Sequence, residues 1–370
     1  MKFNVIYGPL KYFNESLPAE DTINLTELIR WSDARRNNPL EDKLIGNYEN
    51  LVVFGDEYGG VTEAFIEMFV LGIISFQEFL GYSEVYLHNP PNRIVGQIER
   101  YKEEFNLEVV IKEFEHSKIT KSEIKRIRDE FSDTILGQER AKDLLLQNLY
   151  DIVSPKKRKP KVIMLYGPPG VGKTETAHFI NNIVNDGQKI FRKQFSMYHN
   201  DSFYSYIFGD RSNSFAKDLI ERESNVILLD EFDKCNKLFY SAFYQLFDEG
   251  VFEDKYYEVN LDNAIFLCTS NYRSVVEIKQ NLGEAIYSRF DGFVEYVELA
   301  EDVKIKLIDD IFASEIELLD EHDKDFIYEY NVNGFNIPEL LKTQVNNLNN
   351  VREIRRYLKQ MIATPLIDRL

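Results

Sequence analysis

Residues 167–174 read Gly167-Pro168-Pro169-Gly170-Val171-Gly172-Lys173-Thr174, and the segments on either side of them decide the fold. The run before them, Val162-Ile163-Met164-Leu165-Tyr166, is short and apolar, as a buried parallel strand requires. Three glycines then give a turn free of Cβ atoms, so backbone N–H groups can converge on a polyphosphate. In such a loop Lys173 reaches the β- and γ-phosphates, and the Thr174 hydroxyl serves a magnesium ion. From Thr174 to about Asn185 the pattern predicts a helix whose N-terminus faces the anion.

About 55 residues further on, Asn225–Leu229 forms a second apolar strand that ends in Asp230 and Glu231. The first acid suits a magnesium-bound water, and the second can polarise the water that attacks a γ-phosphate. Spaced in this way, the two stretches predict a site for a nucleoside triphosphate with Mg²⁺. Strand and helix patterns alternate from Val162 to Thr269, as a parallel α/β sheet flanked by helices requires.

An ordered series of further segments surrounds these two. Ile135-Leu136-Gly137-Gln138-Glu139-Arg140-Ala141 precedes the loop, and Glu175-Thr176-Ala177 follows it. Phe232-Asp233-Lys234 follows the acids, and Leu246 through Asn263 leads into a strand that ends Thr269-Ser270-Asn271. Ala285 to Asp291 contains Arg289, and Asn350-Val351-Arg352 opens a segment with Ile354, Leu358 and Ile362 on one helical face. From about residue 131 to the C-terminus this series resembles an AAA+ ATPase, most like the second ATPase module of Clp-type, ClpB-like unfoldases.

The resemblance implies ATP and Mg²⁺ as cofactors, a P-loop AAA+ core over 119–299 and a helical lid over 300–370. It implies that Ile135 and Leu136 contact adenine. Gly167, Pro168, Pro169, Gly170, Val171, Gly172, Lys173, Thr174 and Glu175 would form the Walker A loop. Thr174 and Asp230 would serve the metal, Glu231 the attacking water, and Asn271 would orient that water as sensor 1. Arg289 would be the arginine finger that reaches a neighbour's site, and Arg352 the sensor 2 arginine of the same subunit. A homo-oligomer, expected as a hexameric ring, follows from the trans finger.

Two departures stand beside the resemblance. The family's Gly-aromatic-Val-Gly channel loop has no counterpart between Met197 and Phe215, which is rich in aromatics of the kind that fill a core. The lid stops at Leu370, where the family continues into closing strands, and no second ATPase module, coiled-coil insertion or cysteine-rich zinc module is legible.

Upstream, the pattern predicts a small α/β unit over 1–118. Strands at Leu51–Phe54, Glu84–Leu87 and Leu107–Ile111 alternate with helices at Val61–Leu80 and Asn92–Phe105. Gly55–Gly60 reads as a turn, Ser117–Asp129 as a connecting helix and Asn236–Asp248 as a helix packed in the core. The net charge is −18, and 1–118 holds 11 basic against 20 acidic residues, so the acidity is spread evenly. Such a field repels phosphate backbones and argues against nucleic-acid partners, including a DNA or RNA motor. The one basic cluster, Pro155 to Lys161, reads as a solvated linker. Cys235 and Cys268 read as reduced thiols, no secretory signal opens the chain, and no uncharged run approaches the ~20 residues a membrane span needs.

A cytoplasmic ring ATPase that remodels a protein partner, chosen by the amino-terminal unit, is the first expectation. The alternative is an ATP-controlled assembly switch or scaffold that threads nothing, as could serve bacterial antiphage defence.

Overall fold

The computed structural model of the protein describes residues 1–19, 21–37, 48–153, 159–197, 200–210, 213–332 and 336–369. Most of the basic cluster at 155–161 and parts of the Met197–Phe215 stretch lie outside these residues. The α/β class read from the sequence holds.

Two five-stranded parallel sheets organise the chain. The first contains β1 (Lys2–Tyr7), β2 (Thr22–Asn24), β3 (Asn50–Val53), β4 (Glu84–His88) and β5 (Glu108–Glu113) in the order β2-β3-β4-β1-β5. The sequence reading began at Leu51, but Lys2–Tyr7 is an interior strand, paired on both sides. Its polar residues hid it. Asn4 is buried and donates to Glu84 Oε2 at 2.9 Å, and Lys2 Nζ lies 3.2 Å from Glu84 Oε1 on the neighbouring strand.

The expected single helix Val61–Leu80 is instead two, Glu63–Glu67 and Phe69–Leu80, broken at Met68. The break is spliced by a buried side chain from the helix Asn92–Tyr101. Gln97 donates to the Ile66 carbonyl at 2.7 Å and accepts from the Val70 N–H at 3.2 Å, so the freed backbone groups stay satisfied.

The second sheet contains β6 (Lys161–Tyr166), β7 (Phe191–Gln194), β8 (Val226–Asp230), β11 (Ile265–Ser270) and β12 (Gly292–Glu295), in the order β12-β6-β11-β8-β7. A hairpin of β9 (Val251–Glu253) and β10 (Glu258–Asn260) stands apart from it. All residues of β6, β8 and β11 are buried, because layers cover both faces. Val162, Met164, Ile227, Leu229, Phe266 and Cys268 enter one core; Ile163, Leu165, Val226, Leu228, Ile265 and Leu267 enter the other.

The first of these cores is dense in aromatic rings. Phe195, Phe203, Phe215, Phe232 and Phe243 meet edge to face, so aromatics from both flanks of the channel-loop position are packing groups. This core also overrides the helix expected from Asn236. Phe232 stacks on Tyr240 at 5.7 Å, the chain passes through short 3₁₀ turns, and the α-helix begins only at Ala242.

The helix Lys121–Thr134 opens with a Thr120–Glu123 capping box and sends Ile127 and Phe131 into the second core. Helices Glu301–Ile316, Glu321–Val332, Ile337–Lys342 and Val351–Asp368 share their own apolar cluster, including Ile308, Ile311, Leu341, Ile354, Leu358 and Ile362. Among the described residues, no helix is long and apolar enough to cross a membrane.

Candidate active site

The strand β6 delivers the chain to Gly167, whose φ of +134° only glycine adopts with ease. A Cβ there would lie 2.1 Å from the Tyr296 carbonyl oxygen, so the loop also needs glycine for space. Gly170 (φ +72°) and Gly172 (φ +105°) complete the turn. The helix Lys173–Asn185 then starts at Lys173, one residue earlier than expected. It is fixed from behind by Tyr296, whose buried hydroxyl bonds Thr176 Oγ1 at 2.7 Å.

A cavity of about 620 Å³ opens over this loop, large enough for a nucleotide. One end is apolar, with Ile135, Leu136, Leu299, Leu307, Ile311 and Val351 in its wall. The other end gathers Lys173, Thr174, Glu175, Arg192, Asp230, Glu231, Asn271 and Arg352, and Pro169 to Gly172 line the floor between them. Gly167 and Pro168 stand just behind, where their carbonyls accept hydrogen bonds from Lys173 Nζ at 2.7 and 2.6 Å.

Burial pushes the Lys173 ammonium down to about 8, with Asp233 and Asp230 opposing and Arg352 assisting that shift. Its third contact is Asn271 Oδ1 at 3.3 Å. Asp230 is buried. Its Oδ1 accepts from Thr269 Oγ1 at 2.5 Å and lies 3.4 Å from Thr174 Oγ1, while Oδ2 is held by both Nε and Nη2 of Arg192. Glu231 has a left-handed backbone (φ +55°), a strained setting for a non-glycine residue. Its N–H donates to Thr269 Oγ1 at 2.9 Å, and its carboxylate accepts from Gln194 Nε2 at 3.1 Å.

The apolar wall is fastened from a distance. Gln138 donates to the Val297 carbonyl at 2.9 Å and accepts from the Val297 N–H at 3.1 Å, holding Ile135 and Leu136 beside the strand end of β12. On the opposite side, Asn350 caps the helix Val351–Asp368 by accepting from the Glu353 N–H at 3.0 Å. The Val351 N–H also donates to the Gly170 carbonyl at 3.1 Å, which brings Arg352 over the loop.

Arg289 is the one expected site residue that lies away from the cavity. Its Nε donates to Asp248 Oδ2 at 2.8 Å, Nη1 bonds the Ala285 carbonyl, and the guanidinium lies 4.1 Å from the centre of the Tyr244 ring. Within one chain it is a surface group tied to the helix Ala242–Glu249. Sequence reasoning missed Arg192, Gln194, Thr269, Ser270 and Arg355, which also line the cavity. Arg192 and Gln194 sit two apart on β7, and the pairing of Gln194 with Asp230 brings them to the acids. Only the strand order carries that signal.

The residues present fit a triphosphate with its metal. The loop has no room for a Cβ at Gly167, no carboxylate among the described residues pairs directly with the buried ammonium, and hydroxyl and carboxylate oxygens converge at Thr174 and Asp230.

Comparison with known proteins points the same way. Residues 158–316 match the family model described as AAA domain (Cdc48 subfamily). The chain is 24% identical over 286 residues to the chaperone protein ClpB of Malacoplasma penetrans, covering 66% of this chain and 39% of that protein. It is 25% identical over 288 residues to ClpB of Clostridium tetani, covering 68% and 32%. Over a shorter stretch of 132 residues it is 32% identical to ClpB of Chlamydia caviae, covering 33% and 15%. The chain thus spans less than two fifths of the length of these relatives. The fold and the site define a P-loop nucleotide-binding core. The carboxyl-terminal part of this chain is similar to a ClpB-like AAA+ module.

Proposed function

We propose that this chain is a magnesium-dependent ATPase that works as a homo-oligomeric ring, six subunits being the expected number, in the cytoplasm. In this reading, residues 119–299 are the catalytic core and 300–370 the lid, and residues 1–118 select a protein partner to be remodelled. The observation that carries it is the two-ended cavity, apolar at Ile135 and Leu136 and cationic at Lys173 and Arg352.

Ile135 and Leu136 pack against the adenine, and the loop N–H groups and Lys173 hold the phosphates. Thr174 and Asp230 are the protein's groups for Mg²⁺, which supplies charge neutralisation on the phosphate oxygens when bound. Glu231 accepts a proton from the attacking water and Asn271 orients it. Arg352 senses the phosphate from the lid, so the angle between core and lid follows the nucleotide. Arg289, tethered at the surface, is positioned for a neighbour's site and not its own. An arginine supplied in this way is worth roughly 10³–10⁵ in rate in nucleotide hydrolysis.

One observation favours a second reading, an ATP-controlled assembly switch that threads nothing. Met197 to Phe215 carries no Gly-aromatic-Val-Gly loop, and Phe203, Tyr206 and Phe215 are buried. A tagged, folded substrate offered to the ATP-hydrolysing protein separates the two. Its unfolding supports remodelling, whereas hydrolysis with the substrate left intact supports the switch. Absence of ATP binding with Mg²⁺ removes both.

A further inference from the structure

The strand β7 has two working faces. Arg192 and Gln194 face the acids Asp230 and Glu231, whereas Lys193 points the other way and pairs with Asp218 Oδ2 on the helix Phe215–Ile220. Tyr206 donates to the same Asp218 oxygen at 2.6 Å. The residue beside Asp218 on that helix is Lys217, and Lys217 Nζ donates to Asp56 Oδ1 of the amino-terminal unit at 2.8 Å. Three ion pairs, Asp56–Lys217, Asp218–Lys193 and Arg192–Asp230, joined by the backbone between neighbouring residues, thus lead from the amino-terminal unit to the acid of the nucleotide site.

The contact with Asp56 belongs to a wider seam. The Asn92 N–H donates to the Tyr256 carbonyl at 2.8 Å, just before β10. Asn89 bonds the carboxyl of Glu221, which is raised above the ordinary range chiefly by burial. Tyr7 packs against the aromatic core. Asp56, Asn89 and Tyr7 all lie at the carboxyl ends of the parallel strands β1, β3 and β4, the edge at which open α/β sheets take ligands. In this chain that edge is covered by the ATPase core. The seam is incompletely packed, with a cavity of about 370 Å³ between Tyr7, Gly8 and Phe114 on one side and Ile220, Arg222 and Val259 on the other. An opening therefore forfeits fewer contacts than a fully packed interface would.

We propose that the amino-terminal domain is a brake on nucleotide turnover, engaged when its strand-end edge docks on the helix Phe215–Ile220 through Asp56 and Lys217. Docked, it fixes β7 and keeps Arg192 paired with Asp230, the carboxylate that the proposed reaction uses for Mg²⁺. A partner that takes the strand-end edge displaces the core and releases the strand. Lys217 is only 4% exposed, whereas its partner Asp56 stands in solvent, so loss of Asp56 takes a charged partner from a buried ammonium. The proposal rests on the ATPase reading and adds the direction in which the first domain acts.

The test uses the full chain with Asp56→Lys, Lys217→Asp and the double exchange. Steady-state ATP hydrolysis is measured beside backbone hydrogen exchange at Gly55, Asn92 and β7. Asp56→Lys should raise exchange at the seam and raise turnover about fivefold or more, the lower end of ordinary coupling between sites. The double exchange should restore both. Increased exchange at the seam with unchanged turnover would overturn the brake, and so would a seam that stays protected in Asp56→Lys. A wild-type chain that binds no ATP counts instead against the ATPase reading, and the exchange data then report alone on whether the Asp56 contact closes the seam.

Discussion

Nucleotide binding to this chain should consume protons at mildly alkaline pH, because Lys173 is buried and held near 8. The sign follows from the shift. With a folded value below the ordinary 10.5, the native chain binds fewer protons than the unfolded chain between about pH 8 and 10.5. The contribution to stability therefore rises across that window, while below it the buried charge costs on the order of 3 kcal/mol. A triphosphate facing the ammonium restores its affinity for the proton. At pH 8.5 the free lysine is about three quarters neutral, so binding should take up about 0.75 proton; at pH 7 the uptake should be about 0.1. Titration calorimetry of ATP·Mg²⁺ with Glu231→Gln, in buffers of different ionisation enthalpy, reads this number directly. Affinity should also weaken with each pH unit above 8, by about tenfold at most. A buffer-independent enthalpy at pH 8.5 would refute the reasoning, since either the lysine is not depressed or it does not face the phosphates.

Other expectations follow from single contacts. Gly167→Ala drives a methyl into the Tyr296 carbonyl at a φ that side chains avoid, so ATP binding should be lost and the melting temperature should fall by an amount equivalent to about 2 kcal/mol or more. Tyr296→Phe leaves Thr176 its bond to the Gly172 carbonyl and should cost about 1 kcal/mol in denaturant unfolding, with nucleotide affinity nearly unchanged. Specific activity should climb with protein concentration in the wild type and stay low and flat in Arg289→Ala; wild-type activity that is constant down to monomers would remove the trans role of Arg289.

The phosphate loop, the acids after β8 and the alternation of strands with helices were legible because each is written in residues close together in sequence. Gly167 to Thr174 specifies its own turn, and Asp230 and Glu231 simply end a strand. What stayed hidden depends on partners far along the chain. Lys2–Tyr7 looks too polar for an interior strand until Glu84 is placed beside it. Arg192 looks like any charged strand residue until β7 is set next to β8. The break at Met68 is supported by Gln97, which no local pattern near residue 68 announces, and the late helix start at Ala242 reflects ring packing around Phe232. Arg289 carries the opposite lesson: its segment was plain in the sequence, yet in one chain it touches only its own surface.

The capping box at Thr120 has a practical consequence. Ile119 and the helix it precedes are structural members of the second core, although they read as a tether between two units. Cutting the chain ahead of Ile119 would leave the second core all of its members. Cutting it inside Lys121–Thr134 would remove Ile127 and Phe131 and uncover Phe179 on the helix that carries the phosphate loop's lysine. A shortened protein that fails to bind ATP would then report a damaged core, with no bearing on what the first hundred residues do.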